Sequence, residues 1–368
     1  MCHKTKSISL LLGAGFSVSA GFPTVDIVNE KVLNLRKQGL HFMPNGILAK
    51  PHDPGFTTQL EKYYPIFLDI IDYYNTKNSS NFNYEEFYDY IVHELTNDNN
   101  FIKKAVVQYP HIDVSQSIYH FKNIYNQIIH HCIQPSKLNN DNINDYNIFK
   151  EWVTNIIHST IINIHTLNHD IFLETRLFPN NVSDGYEHNG LYSCENVQTH
   201  LDETIPMFTN NYHNNLRLFK LHGSFDHYIC DFEGEKDYVK ISRVHNYTMI
   251  KNTKNQYDIH NYHPDFLSGT TDKLLRYNET HYQCLFNHFR TNIQDAEMII
   301  IIGYGGNDSG INNILKQGAS NKQMIVISKK INENFIEEMK KAGWLVTAIS
   351  KPVGEISMTD LTNYNPIS

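Results

Sequence analysis

Four consecutive isoleucines, Ile299 to Ile302, follow Met298 and run straight into Gly303. A run without polar alternation is satisfied only when both faces of its strand are buried, which is the situation inside a helix-covered parallel sheet. Ser7 to Leu12 reads as a second such strand and ends at Gly13. Further strand signals fall at Thr160–Leu167, Leu216–Leu221, Met324–Ile327 and Trp344–Ile349. A helical period covers Asp26 to Lys37 after the first strand. Helices are also predicted at Ile311–Gln317 and Glu333–Lys341, the latter closed by Gly343 as a C-terminal cap. Strands and helices alternating at this spacing predict an α/β fold with a parallel sheet covered by helices.

The middle of the chain has a different character. From about Leu40 to Lys150 strand-like runs vanish. Amphipathic helices are predicted at Gln59–Tyr74, Tyr84–Thr96, Val114–Ile133 and Tyr146–His158, parted by polar breaks at Asn78–Asn81 and Asn139–Asn142. With 368 residues the chain is long enough for about two domains, or for one large domain with an insertion. The expected division is a sheet domain of residues 1–39 and 150–368, with 40–149 as a helical insertion. Phe225 to Asp295, rich in Tyr, His and Asn, is expected to form a second insertion of loops and helices beside the site.

Composition excludes several function classes. There are 31 basic and 39 acidic residues, a net charge of −8, so no global field favours nucleic acid and no direct nucleic-acid binding is expected. No apolar run approaches the roughly 18 residues of a membrane span, and the polar start, Met1 to Lys6, does not read as a signal peptide. The five cysteines, Cys2, Cys132, Cys194, Cys230 and Cys284, form no CxxC pair, which argues against a zinc ribbon or a thioredoxin-type site. Their scatter and odd number suit a reducing cytoplasm.

Chemistry-bearing residues gather where strands end. Gly13-Ala14-Gly15-Phe16-Ser17-Val18-Ser19-Ala20-Gly21-Phe22-Pro23 follows the first strand. Glycines there would let the main chain approach a pyrophosphate, with a helix N-terminus behind it; the same residues would also make a plain tight turn. The string departs from the dinucleotide fingerprint at Val18, and no acidic residue ends a second strand about 20 positions on. Thr166-Leu167-Asn168-His169-Asp170 ends another strand. An amide there can donate and accept at once and so orient a hydroxyl, although an Asx turn would use the same residues. His222, in Leu221-His222-Gly223-Ser224, could accept a proton from a hydroxyl or a water. His169 is expected to be a solvent-facing loop residue. Asp308, after Gly303-Tyr304-Gly305-Gly306-Asn307, is expected to cap the next helix.

The string G-A-G-x-S-x-x-A-G-x-P resembles the opening of the sirtuin superfamily, matched by Gly13, Ala14, Gly15, Ser17, Ala20, Gly21 and Pro23. The T-x-N-x-D and His-Gly motifs are similar to that superfamily as well, and the Gly303-Tyr304-x-x-x-Asp308 ending, where deacetylases carry Gly-Thr-Ser, looks like its defence-associated branch. Thr24 after the proline, where deacetylases carry Asp-Phe-Arg, looks more like the bacterial sirtuin-like NAD hydrolases of antiphage defence. The likeness covers about residues 7–28 and 159–350 in islands. It implies a Rossmann-like NAD-binding fold. Asn168 and His222 would be catalytic, and Asp170 would read the nicotinamide carboxamide. The glycine string, Gly303, Tyr304 and Ser328 would hold the rest of the dinucleotide. It implies NAD as substrate and cleavage to nicotinamide and ADP-ribose. The four zinc cysteines of the family's small domain are missing, so no metal is expected. Deacylation, ADP-ribosyl transfer and non-catalytic NAD or ADP-ribose sensing are the alternatives. Such effectors imply a trigger: self-assembly as a homo-oligomer, or a separate partner such as a HerA-like ATPase or an Argonaute; the aromatic helices Tyr63–Tyr74 and Tyr84–Tyr90 could form an interface, although most of those residues are expected to pack within the insertion's own core. NAD and NADP are not told apart, since no arginine is placed by motif for a 2′-phosphate.

Overall fold

The structure is a computed structural model that describes residues 6–42, 48–49, 59–79, 81–96, 116–134, 140–179, 181–196, 202–241, 248–258, 264–269, 273 and 276–362. Six strands build the central sheet: β1 (Lys6–Leu12), β2 (Thr160–Thr166), β3 (Leu216–Lys220), β4 (Met298–Ile302), β5 (Gln323–Ser328) and β6 (Leu345–Ser350). Their spatial order is β6-β5-β4-β1-β2-β3, and every pairing is parallel. This is the Rossmann order, and it reverses between β1 and β4, where open α/β sheets form their ligand crevice.

The isoleucine run is buried as its sequence demands. Ile300 and Ile302 join Leu10, Leu12, Ile325 and Ile327 on one face, while Ile299 and Ile301 join Leu11, Met324 and Val326 on the other. The first face is covered by Tyr146 and by helix Asn147–Ile156, through Phe149, Trp152 and Val153. The second is covered by helices Thr280–Asp295, Ser309–Gln317 and Glu333–Ala342. Gly343 closes the last of these in the left-handed conformation.

Three helices of the middle region, Gln59–Lys77, Tyr84–Thr96 and Ser117–Ile133, share a separate core with Val28, Val32 and Leu35. Val114 and Ser115, predicted helical, lie outside the described residues, as do Cys2, Ser80 and Asn139. Tyr63, Tyr64, Phe67, Tyr74, Phe87 and Tyr88 are all buried in this core, so most of the aromatic stripe offered as an interface is used internally. No helix among the described residues is long and apolar enough to cross a membrane.

Two expectations need correcting. The helix predicted over Asp26–Lys37 breaks at Asn34 into Val25–Leu33 and Leu35–Gln38. Phe225 to Asp295 is not only loops and helices. His227–Phe232 and Glu235–Lys240 pair as an antiparallel hairpin, and Thr248–Asn252 pairs with Tyr192–Asn196. The hairpin turn puts Glu233 and Gly234 at φ 57° and 90°, a conformation that usually announces itself as Asn-Gly or Asp-Gly. The core beneath it holds only a few aliphatics among Tyr192, Tyr228 and Cys230, so the alternation is faint in sequence.

Histidines are unusually deep in this fold. His165, His222, His227 and His281 are all buried, and burial pushes each below the ordinary histidine value, His281 to about 3. The unfolded chain binds protons at these positions near pH 6.5, whereas the native chain does not. Acid therefore favours unfolding, and the stability present above about pH 6.5 is lost as pH falls. Each such histidine adds about 1.4 kcal/mol per pH unit to that loss. Urea unfolding should show a midpoint that drops steeply between pH 7 and pH 5; a flat midpoint over that interval would contradict the neutral burial.

Candidate active site

Register sets the geometry of the site. Lys220, Thr166, Leu12, Ile302 and Ile327 lie side by side as the last paired row of β3, β2, β1, β4 and β5. The residues just beyond that row are Leu221, Leu167, Gly13, Gly303 and Ser328, so the predicted turns sit along one carboxyl edge. Asn168 and His222 each lie two positions past register partners on neighbouring strands.

The glycine turn is packed against the turn after β4. Gly13 N–H donates to Ile302 O at 3.0 Å and Gly15 N–H to Gly303 O at 2.9 Å. A Cβ at Gly13 would lie 2.7 Å from Gly303 O, and one at Gly303, whose φ is +67°, would lie 2.2 Å from Phe16 N. These glycines are thus needed for turn-on-turn packing, a role the sequence reading did not give them. The turn opens a helix of only four residues, Ala14–Ser17, and the longer helix starts at Val25. Ala14, Gly15 and Gly21 are exposed, Pro23 is half-buried and Ala20 is buried. From below, the Tyr146 hydroxyl donates to Phe16 O at 2.6 Å and accepts from Ala20 N–H at 3.1 Å.

Asn168 ties this turn to the loop after β2. Its Nδ2 donates to Gly13 O at 3.0 Å and to Ser17 Oγ at 2.9 Å. Ser17 in turn donates its only proton to Asp170 Oδ2 at 2.8 Å. Both partners of the amide nitrogen are therefore acceptors, which fixes the amide's orientation. No hydrogen bond reaches Asn168 Oδ1 among the described residues, so that oxygen is free to accept a hydrogen bond from a ligand hydroxyl or a water. Asp170 is buried, and its Oδ1 accepts from Phe172 N–H at 3.0 Å. Both of its oxygens are thus engaged, and contact with a carboxamide is left to the remaining lone pairs. Lys220 holds this loop too: its ammonium donates to Asp170 O and pairs with Glu174 at 2.9 Å, both side chains deeply buried.

His222, two residues past the end of β3, lies beside a cluster the motifs did not announce. Its Nε2 lies 3.2 Å from Tyr277 Oη and 3.4 Å from Asp308 Oδ2, and Tyr277 Oη donates to the same carboxylate oxygen at 3.3 Å. Burial lowers the imidazole pKa below its ordinary value; Lys273 acts the same way, against Asp308, which pulls it up. Burial alone would raise the Asp308 carboxyl, but the bond to His222, Lys273 and the Ile311 N–H outweigh it and hold it well below the usual range. Asp308 does cap the helix at Ser309, as expected, accepting from Ile311 N–H at 3.0 Å. His169 is half-buried rather than solvent-facing. Its ring packs on Phe266 at 4.9 Å and Phe225 at 6.0 Å, with His222 at 6.4 Å.

Tyr304 is buried, and its hydroxyl bonds Asn312 Oδ1 at 2.8 Å and the Asp308 main chain at 3.1 Å, so it braces its own loop. Ser328 is half-buried at the end of β5. Sequence reasoning missed Tyr146, Lys220, Lys273 and Tyr277 as members of the site. Tyr146, Lys273 and Tyr277 enter from distant segments, and Lys220, although it ends β3 beside the motif, acts on the loop after β2, so no spacing marks them. No group of three His, Cys, Asp or Glu among the described residues could hold a metal ion.

No family model matches the chain, and no curated protein matches it. Solved structures do. A chain from work on the mechanism and regulation of Sir2 enzymes aligns with a TM-score of 0.39 and 11% identity over 97% of this chain and 92% of that one. A Sir2 protein bound to a propionylated peptide gives 0.37 and 11% over 96% and 90%. A structure addressing sirtuin substrate affinity gives 0.38 and 10% over 98% and 95%. At these identities and TM-scores nothing about activity is carried over from them.

Tyr146→Phe should leave Phe16 O and Ala20 N–H without their buried partner. The expected loss is about 1–3 kcal/mol of unfolding free energy, together with faster amide exchange at Ala20. A variant as stable and as protected as the parent would show that the hydroxyl does not brace the glycine turn.

Proposed function

We propose that the chain is an NAD glycohydrolase that releases nicotinamide and ADP-ribose. The observation that supports it most is the single edge carrying Ser328, Gly303, Gly13, Asn168 and His222 on five adjacent strands. At about 4.8 Å per strand that row spans about 19 Å, the reach of an extended dinucleotide. Adenosine would lie over Ser328, Gly303 and Tyr304, the pyrophosphate over the exposed residues Ala14 and Gly15 at the switch point, and the nicotinamide ribose over Asn168 and His222.

The bond broken joins nicotinamide to the ribose. Nicotinamide leaves a pyridinium as a neutral ring, so departure needs no general acid. The transition state resembles an oxocarbenium ion, as in glycoside hydrolysis. Asn168 Oδ1 accepts from the attacking water or from a ribose hydroxyl and places partial negative charge beside the cation. Neutral His222 takes the water's proton as the new bond to carbon forms. A hydrolase of this kind would serve as a cytoplasmic effector that depletes NAD during abortive infection. An unrestrained NADase would harm its host, so this role requires an off state released by self-assembly or by a separate partner such as a HerA-like ATPase or an Argonaute.

Chromatography of NAD incubated with the protein, alone and with candidate partners, tests the reading. Wild type should yield nicotinamide and ADP-ribose. Asn168→Ala and His222→Ala should each lose roughly 10²–10⁴-fold in rate. The rate should be level near neutral pH and fall on an acid limb centred below pH 6.5, because only the neutral imidazole accepts a proton. Calorimetric NAD binding without nicotinamide release would make the chain a sensor, and O-acyl-ADP-ribose formed from an acyl-lysine peptide would make it a deacylase. Either result overturns the proposal.

A further inference from the structure

Three polar atoms form a nearly equilateral triangle behind the imidazole: His222 Nε2, Tyr277 Oη and Asp308 Oδ2, with sides of 3.2, 3.3 and 3.4 Å. Only two of the three can bring a proton, and an ionised carboxylate brings none. The Tyr277 O–H points at Asp308 Oδ2. Its oxygen lone pairs are then left facing Nε2. Were Nε2 also unprotonated, lone pairs would confront one another on two sides of the triangle in a buried site. The arrangement is satisfied when Nε2 carries its hydrogen and shares it with the phenol and the carboxylate. A neutral imidazole has one N–H, so the lone pair then belongs to Nδ1. No hydrogen bond reaches Nδ1 among the described residues.

We propose that Asp308 and Tyr277 are positioning residues that hold His222 in its Nε2–H tautomer, so that Nδ1 is the atom that takes the proton. In the step itself the water O–H bond breaks, its electron pair forms the bond to the ribose carbon, and its proton moves to Nδ1. The imidazolium so formed lies against the Asp308 carboxylate, which stabilises it. The use of Nδ1 in catalysis rests on the hydrolase reading; the tautomer does not.

Other charged and titratable groups also face this ring. Lys273 Nζ lies 4.0 Å from Asp308 Oδ2 and 3.4 Å from Glu85 Oε1 on helix Tyr84–Thr96, and the His169 ring stands 6.4 Å from His222. Lys273 keeps Asp308 ionised and opposes an imidazolium, while Glu85 favours one. The carboxylate that touches Nε2 is the group whose removal should change both the tautomer and the protonation of His222.

Asp308 offers a clean substitution. Asparagine serves as well as aspartate at a helix N-cap, so Asp308→Asn keeps the bond to Ile311 N–H while it removes the charge and puts an NH2 donor where Oδ2 accepts from Tyr277 and faces Nε2. The test records nitrogen NMR of imidazole-labelled protein at neutral pH, with the His222 signals identified by their loss in His222→Gln. Wild type should show a pyridine-like Nδ1 and a pyrrole-like Nε2. Asp308→Asn should shift His222 toward the other tautomer, and Tyr277→Phe should shift it partly. Where NAD is cleaved, Asp308→Asn should lower kcat by roughly 10²-fold or more with KM little changed, and should move the acid limb to lower pH. Asp308→Ala should do the same and also lower the melting temperature, because it removes the cap. A pyrrole-like Nδ1 in wild type overturns the proposal, as does an Asp308→Asn spectrum identical to the parent. Full activity in Asp308→Asn beside loss in Asp308→Ala would reduce Asp308 to a helix cap. An expected nitrogen pattern with no nicotinamide release would instead count against the hydrolase reading alone.

Discussion

The contact between the turns after β1 and β4 is the constraint on which the site depends. These strands flank the point where the sheet order reverses, so the chains leaving them cover different faces. The two turns can abut only because neither carries a side chain at the contact: the volume a Cβ would need at Gly13 or Gly303 is filled by main chain. Once they abut, Gly13 O points to the Asn168 amide, Ser17 lies within reach of both Asn168 and Asp170, and the loop after β2 is held in register with the turn. A substitution that parted the turns would therefore displace Asn168 without touching it.

The central sheet was legible in sequence because its residues answer to one local rule. A strand buried on both faces has no reason to alternate, and Met298–Ile302 spans the strand as read. The two side sheets obey a rule that sequence expresses weakly. Their strands are short, the core between them mixes aromatic and thiol groups, and the hairpin turn uses Glu233-Gly234. Asn168 and His222 could be singled out since each follows a strand end, and strand ends in such sheets are where ligands gather. What sequence could not give was their support. Tyr146, Lys220 and Tyr277 act across gaps of 126, 50 and 55 residues, and no spacing rule links a side chain to a partner that far away. His169 was misjudged for the same reason: its partial burial comes from Phe225 and Phe266, which only the folded chain brings to it.

Those two phenylalanines also join the site to the helices of the middle region. Both belong to the apolar core shared by Gln59–Lys77, Tyr84–Thr96 and Ser117–Ile133. Phe225 follows the His222-Gly223-Ser224 loop directly, and Phe266 pairs through its main chain with Gly223, while Leu267 N–H donates to His222 O at 2.8 Å. The histidine's loop is thus clamped by a segment whose rings are packed in the helical core. A second link is polar, from Glu85 through Lys273 to Asp308. Packed interiors do not deform continuously, so a change in how those helices pack must be taken up at their boundary. Here that boundary includes the loop that sets the position of the imidazole and the charge that polarises it. The helical region and the carboxyl edge of the sheet therefore share one mechanical and electrostatic joint, and it lies directly behind His222.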